Sequence, residues 1–165
     1  MEPHPLEFLF HPRSVAVAGV SPDVSNQAHD YFVVLQRFGF PGPVHAVNPN
    51  YTEIEGIPCY RSLRDIPGPV DYVVSCVPAS ALLSLLDDAI AKGVRALQMY
   101  TARMAETGLA ERQAMQDEVT RRAKESIWHP SQVVEDLPVG GCILTMRVGN
   151  TLEMTPWIRG WGPNV

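Results

Sequence analysis

Between residues 14 and 125, short apolar runs alternate with segments whose apolar residues recur at helical spacing. "SVAVAG", opening at Ser14, reads as a buried strand, and "QAHDYFVVLQRFGF" follows with Ala28, Tyr31, Phe32, Leu35 and Phe38 on one helical face and Gly39 to stop it. "VHAV", Val44 to Val47, is a second strand ended by Asn48-Pro49. "DYVVSCVP" is a third, stopped by Pro78, and "VRALQMY" a fourth. Between the last two lies "ASALLSLLDDAIAKG", a helix with Leu82, Leu83, Leu86 and Ile90 on one face and a terminating Gly93. "AETGLAERQAMQDEVTRRAKES" is a final, charge-rich helix. The stretch from Tyr51 to Val70 reads as a turn-rich connection with one helical turn at Ser62 to Asp65. Strands separated by helices pair in parallel through right-handed crossovers. The expected fold is therefore α/β: a Rossmann-like, doubly wound parallel sheet of four or five strands.

That architecture binds its ligands where the strands end, beside the point at which strand order reverses. Four loops then carry the functional expectation: "GVSPDVSN", "VNPN", "CVPAS" and "MYTARMAETG". A strand running into Gly19 before a helix offers unpaired N–H groups and the positive end of a helix dipole, a setting that suits phosphate. The full dinucleotide fingerprint is absent, since no glycine follows Gly19 until Gly39. An NAD site also favours an acidic residue at the end of the second strand, where this chain has Asn48. Plain structural readings stand beside these: Gly19 as a strand-to-helix turn, Asn48-Pro49 as a turn initiator, and "VPAS" as a strand end with a helix cap. Pattern alone supports a doubly wound domain that binds a phosphorylated ligand.

Composition narrows the partners. A net charge of −5 argues against a broad nucleic-acid surface. No apolar run approaches the roughly 18 residues of a membrane span, and the N-terminus lacks the pattern of a signal peptide, so the cytoplasm is the expected compartment. Cys59, Cys76 and Cys142 are too few and too scattered for a disulfide framework or a zinc site. Residues 127–165 hold all three Trp residues and one plausible strand, "CILTMRV". They read as an atypical tail behind a 1–126 domain, irregular, packed on a partner or partly disordered.

The runs "LFHPRSVAVAGVS", "FGFPGPVHAVNPNYTEIEGIPCYRSLRDIPGPVDYVVSCVPAS" and "AKGVRALQMYTARMAETG" resemble, in order, the CoA-binding domain of NDP-forming acyl-CoA synthetases, relatives of the succinyl-CoA synthetase α subunit. The resemblance covers roughly residues 8 to 125. It implies a module that binds coenzyme A or an acyl-CoA and performs no turnover alone, working with a ligase or ATP-grasp partner subunit or as a homo-oligomer. Carried over, Gly19, Val20 and Ser21, with Ser25 and Asn26 further along the loop, would lie near the adenosine 3′,5′-bisphosphate or the pyrophosphate. Asn48, Pro49 and Asn50 would border adenine and ribose. Val77 and Pro78 would pack on the nucleotide or pantetheine, and Tyr100, Thr101 and Ala102 would border the pantetheine arm. Asn48 in place of an acid suits a ligand with a 3′-phosphate, which a carboxylate would repel. The first two loops hold no lysine or arginine, so phosphate contacts would rest on backbone amides, Ser21, Ser25, Asn26 and Arg13. An NAD(P)-binding domain of an oxidoreductase or redox sensor is the alternative.

The chain departs from the family after its last helix. There the family has a fifth strand ending in a "GPNC"-type motif, whereas here "RRAKES" runs into "IWHPSQ" and a "GPN" occurs only at Gly162 to Asn164. The sheet is expected to lose or remake that edge. None of the five histidines sits where the family's phosphate-relaying histidine would be, and no catalytic residue is assigned.

Overall fold

A computed structural model describes residues 10–100, 108–125, 133–134 and 142–145. Its strands are β1 (Val15–Ala18), β2 (Val44–Val47), β3 (Glu53–Ile54), β4 (Ile57–Tyr60), β5 (Tyr72–Ser75), β6 (Ala96–Met99), β7 (Val133–Val134) and β8 (Cys142–Thr145). The helices are α1 (Gln27–Arg37), α2 (Ala79–Lys92) and α3 (Ala110–Glu125), with a 3₁₀ turn at Leu63–Asp65. One sheet runs in the order β3-β4-β2-β1-β5-β6-β8-β7. Its five central strands, β4, β2, β1, β5 and β6, are mutually parallel. This is the Rossmann-like α/β architecture expected from the alternation.

The central strands are short and apolar because both of their faces are covered. Alternate residues point to opposite sides. Val15, Val17, Ala46 and Val74 pack under α1 with Ala28 and Phe32, whereas Ala16, Ala18, Val73 and Leu97 pack against Leu82 and Leu86 of α2 and Val119 and Ala123 of α3. Asn26 caps α1, and Gly93 ends α2 in the left-handed conformation (φ +73°) that a side chain would disfavour.

Two parts of the sheet differ from the sequence reading. The connection between β2 and β5 contains more than turns. Its residues Glu53–Ile54 and Ile57–Tyr60 form a hairpin, and β4 then extends the parallel sheet beyond β2 through the pairs Ala46–Cys59 and Val47–Tyr60. Pro58 hides this strand in the sequence, since it gives no ladder donor; here it faces the edge strand β3 and is exposed. The other difference is the far edge. Cys142–Thr145, within the one strand foreseen in the tail, lies antiparallel to β6, with Val133–Val134 outside it. The edge is therefore remade. The Trp residues and the "GPN" lie outside the described residues.

Candidate functional site

Strand order reverses between β1 and β5, and the two meet closely at their carboxyl ends. Gly19 follows β1 with φ +94°, and a Cβ placed on it would stand 2.8 Å from the carbonyl oxygen of Cys76 and 3.0 Å from its carbonyl carbon. Only glycine fits such an approach of backbone to backbone. The feature that looked made for a ligand thus first serves to close the two strand ends against each other. The Cys76 N–H also donates to the Ala18 carbonyl at 2.9 Å.

The first two loops are tied together by Asn48. Its Nδ2 donates to the Val20 carbonyl at 2.8 Å, its Oδ1 accepts from the Asn50 N–H at 3.0 Å, and its own N–H donates to the Tyr60 carbonyl at 2.9 Å. Asn26 has an equivalent role one loop earlier. Its Oδ1 accepts from Ala28 and His29 at 2.8 and 3.2 Å while Nδ2 donates to the Gly19 carbonyl at 3.3 Å. Ser25 sends both its N–H and its hydroxyl to Asp23 Oδ1, which holds the Asp23 carboxyl below its ordinary range. Three polar side chains assigned to the ligand by resemblance are therefore engaged in shaping the loops. Among the described residues, the N–H groups of Val20, Ser21, Asp23 and Val24 and the Ser21 hydroxyl have no partner, and this loop can offer them to an anion. Val20's side chain is buried, so only its backbone can take part.

The other expected residues gather at the same carboxyl edge. Pro49, Asn50 and Pro78 are exposed, and Val77 is half-buried. The Tyr100 N–H is held by the Ser75 carbonyl at 2.7 Å, and its ring tilts against Tyr31 of α1 with centroids 5.6 Å apart. Burial, and then the Tyr100 hydroxyl, push the Tyr31 phenol up to about 12. Tyr31 was legible only as a core position on the apolar face of α1. Burial pushes the Cys76 thiol up to about 11, so it stays protonated at neutral pH and is no ready nucleophile. Thr101 and Ala102 lie outside the described residues.

Arg13 belongs to the opposite edge, which corrects its assignment to phosphate. It precedes β1, and its Nε and Nη2 grip Asp71, just before β5, at 2.8 and 2.9 Å while its N–H adds a third bond at 3.0 Å. The carboxyl group of Asp71 is held below its ordinary range, chiefly by the Arg13 side chain. His29 is buried on α1, with Nε2 3.3 Å from Glu55 Oε1. Among the described residues no three His, Cys, Asp or Glu side chains stand close enough to hold a metal ion, and no helix is long and apolar enough to cross a membrane.

The family model described as the CoA binding domain matches residues 13–146. The chain belongs to that family. It is 34% identical over 103 residues to the ADP-forming acetate–CoA ligase II subunit alpha of Pyrococcus furiosus, an alignment covering 62% of this chain and 22% of the relative. It also resembles the solved dinucleotide-forming acetyl-coenzyme A synthetase 1 of Candidatus Korarchaeum cryptofilum in complex with phosphate and ADP. There the identity is 32% and the TM-score 0.64, over 73% of this chain and 25% of that one. A hypothetical protein from Pyrococcus horikoshii OT3 matches with 26% identity and a TM-score of 0.56, over 72% of this chain and 75% of that one. The chain is thus homologous to the alpha part of ADP-forming acyl-CoA synthetases, and it spans less than a quarter of the length of the curated relatives it matches.

Proposed function

We propose that the carboxyl edge of the sheet binds coenzyme A, or an acyl-CoA, by its nucleotide end, and that the domain holds the thioester for a ligase or ATP-grasp partner rather than turning it over alone. The observation that carries this reading is the junction of the first two loops, where free Val20 and Ser21 amides stand beside Asn48. Amides without a partner favour an anion, and Asn48 puts no carboxylate where a ribose phosphate would be repelled. Gly19, Val20 and Ser21 would line the phosphates, with Ser25 and Asn26 shaping their loop. Asn48, Pro49 and Asn50 would border the adenosine. Val77, Pro78 and Tyr100, with Thr101 and Ala102, would follow the pantetheine arm.

Thermal-shift titrations with CoA, dephospho-CoA, NAD and NADP in parallel test the proposal. At a hundredfold over its dissociation constant a ligand adds about 2.7 kcal/mol, which for a domain of this size raises Tm by roughly 5 to 15 °C. The expected result is a shift with CoA, smaller with dephospho-CoA and absent with NAD. A shift with NAD alone would replace the proposal by the dinucleotide reading. No shift with any of the four would overturn it.

A further inference from the structure

The first two loops contain no cation, yet a ribose phosphate at Asn48 would need its charge balanced. The unforeseen strand β4 supplies one. Val47 pairs with Tyr60 in parallel register and the Asn48 N–H donates to the Tyr60 carbonyl, so the next residue of each strand, Asn48 and Arg61, leaves the sheet side by side. Neighbouring strands lie about 5 Å apart, within the span of an arginine side chain. Arg61 is exposed and makes no ion pair or hydrogen bond with another described residue.

The other described cations are engaged or lie elsewhere. Arg13 grips Asp71 at the amino edge, Arg64 Nε sits 2.7 Å from Asp88, and Lys92 donates to the Ile66 carbonyl. Arg112 stands by Glu111, and Arg121 and Arg122 share Glu118. Arg37 closes α1 at its far end, and Arg95 precedes β6 at the amino edge.

We propose that Arg61, carried to the Asn48 loop by the register of β4 against β2, is the residue that selects ligands bearing a phosphate on the adenosine ribose. The inference rests on the coenzyme A reading and deepens it. A guanidinium can take two phosphate oxygens at once, a geometry that glutamine lacks. Selectivity of this kind comes from one exposed charge at a rim, so it should weaken as salt rises.

The test measures dissociation constants for CoA and dephospho-CoA by calorimetry, at low and at 0.5 M salt, on the wild type, Arg61→Gln and Arg61→Glu. Arg103→Gln, altered in the fourth loop, is the control. The wild type is expected to prefer CoA by about tenfold, the worth of one charge-assisted contact. Arg61→Gln should bring that ratio close to one without changing the dephospho-CoA constant, and Arg61→Glu should invert it, both at unchanged Tm. A wild-type preference that survives Arg61→Gln, or that falls with Arg103→Gln instead, overturns the role of Arg61 and leaves the coenzyme A reading standing. A wild type that binds neither ligand overturns both.

Discussion

The side-chain amide of Asn48 donates to the main-chain carbonyl of Val20 at 2.8 Å, so the end of β2 holds the end of β1 in place. Removing it leaves a carbonyl without its partner, at a cost of about 1–2 kcal/mol. Asn48→Ala should therefore lower Tm by roughly 2 to 6 °C. Asn48→Asp loses the same donor and adds a negative charge. It should lower Tm comparably yet weaken CoA binding further than alanine does, by about tenfold. Calorimetry on both variants decides; an aspartate variant that binds CoA as the wild type does would remove Asn48 from the ligand's surroundings.

Gly19 is predicted to be the least replaceable residue of the first loop. Alanine there meets the Cys76 carbonyl at 2.8 Å and must adopt φ +94°. Urea unfolding of Gly19→Ala should show a loss of about 3 kcal/mol, combining backbone strain with forced separation of two strand ends. A loss below about 1 kcal/mol would mean that β1 and β5 part easily at this point.

Asp71 should make the fold sensitive to acid. Arg13 holds the folded-state carboxyl below its ordinary value of 3.8. The unfolded chain therefore takes up the proton first as pH falls. The stabilisation is complete above the ordinary carboxyl range and is lost as pH drops through the depressed value. Asp71 is 2% exposed, so Asp71→Asn should cost on the order of 2 kcal/mol at pH 7. The gap to wild type should stay level down to about pH 5 and narrow below about pH 4. Urea midpoints across pH 3 to 8 check this, and a gap that widens in acid would contradict it.

Cys76 should resist alkylation despite its place at the site. A thiol at about 11 is almost wholly protonated at pH 7.5. Cys59 is buried, and its thiol is likewise pushed up by burial. In a Cys142→Ser background, mass spectrometry after iodoacetamide should find the native protein unlabelled and the urea-unfolded protein labelled twice. Rapid labelling of Cys76 in the native state would reopen it as a nucleophile.

The sequence made the strand–helix alternation legible because burial on both faces forces apolar runs and helical periodicity gives the covers away. It also placed the first three loops and the start of the fourth at Met99 and Tyr100, since strand ends follow from the runs themselves. What stayed hidden depended on contacts distant in the chain. Pro58 masked β4, so Arg61 seemed to lie in a connection. Arg13 looked free because Asp71, its partner, is 58 residues away. Asn26 and Asn48 could be placed at the carboxyl edge of the sheet, but not recognised as latches, because their partners at Gly19 and Val20 are met only once the loops are folded. The direction of β8 was unreadable as well, since an apolar run does not say which way it will pair.

That direction has a consequence for reach. Because β8 runs against β6, Cys142 lies beside Met99 and Thr145 beside Ala96. Chain that enters β8 arrives at the rim where a thioester would be held, and chain that leaves it departs from the opposite rim, four strand residues or about 13 Å away. A parallel strand in that place would have handed its successor directly to the ligand. Here β8 ends instead beside Ala96, so Thr145 stands a full strand length from the rim proposed for the thioester, and only Cys142 shares that rim with Met99.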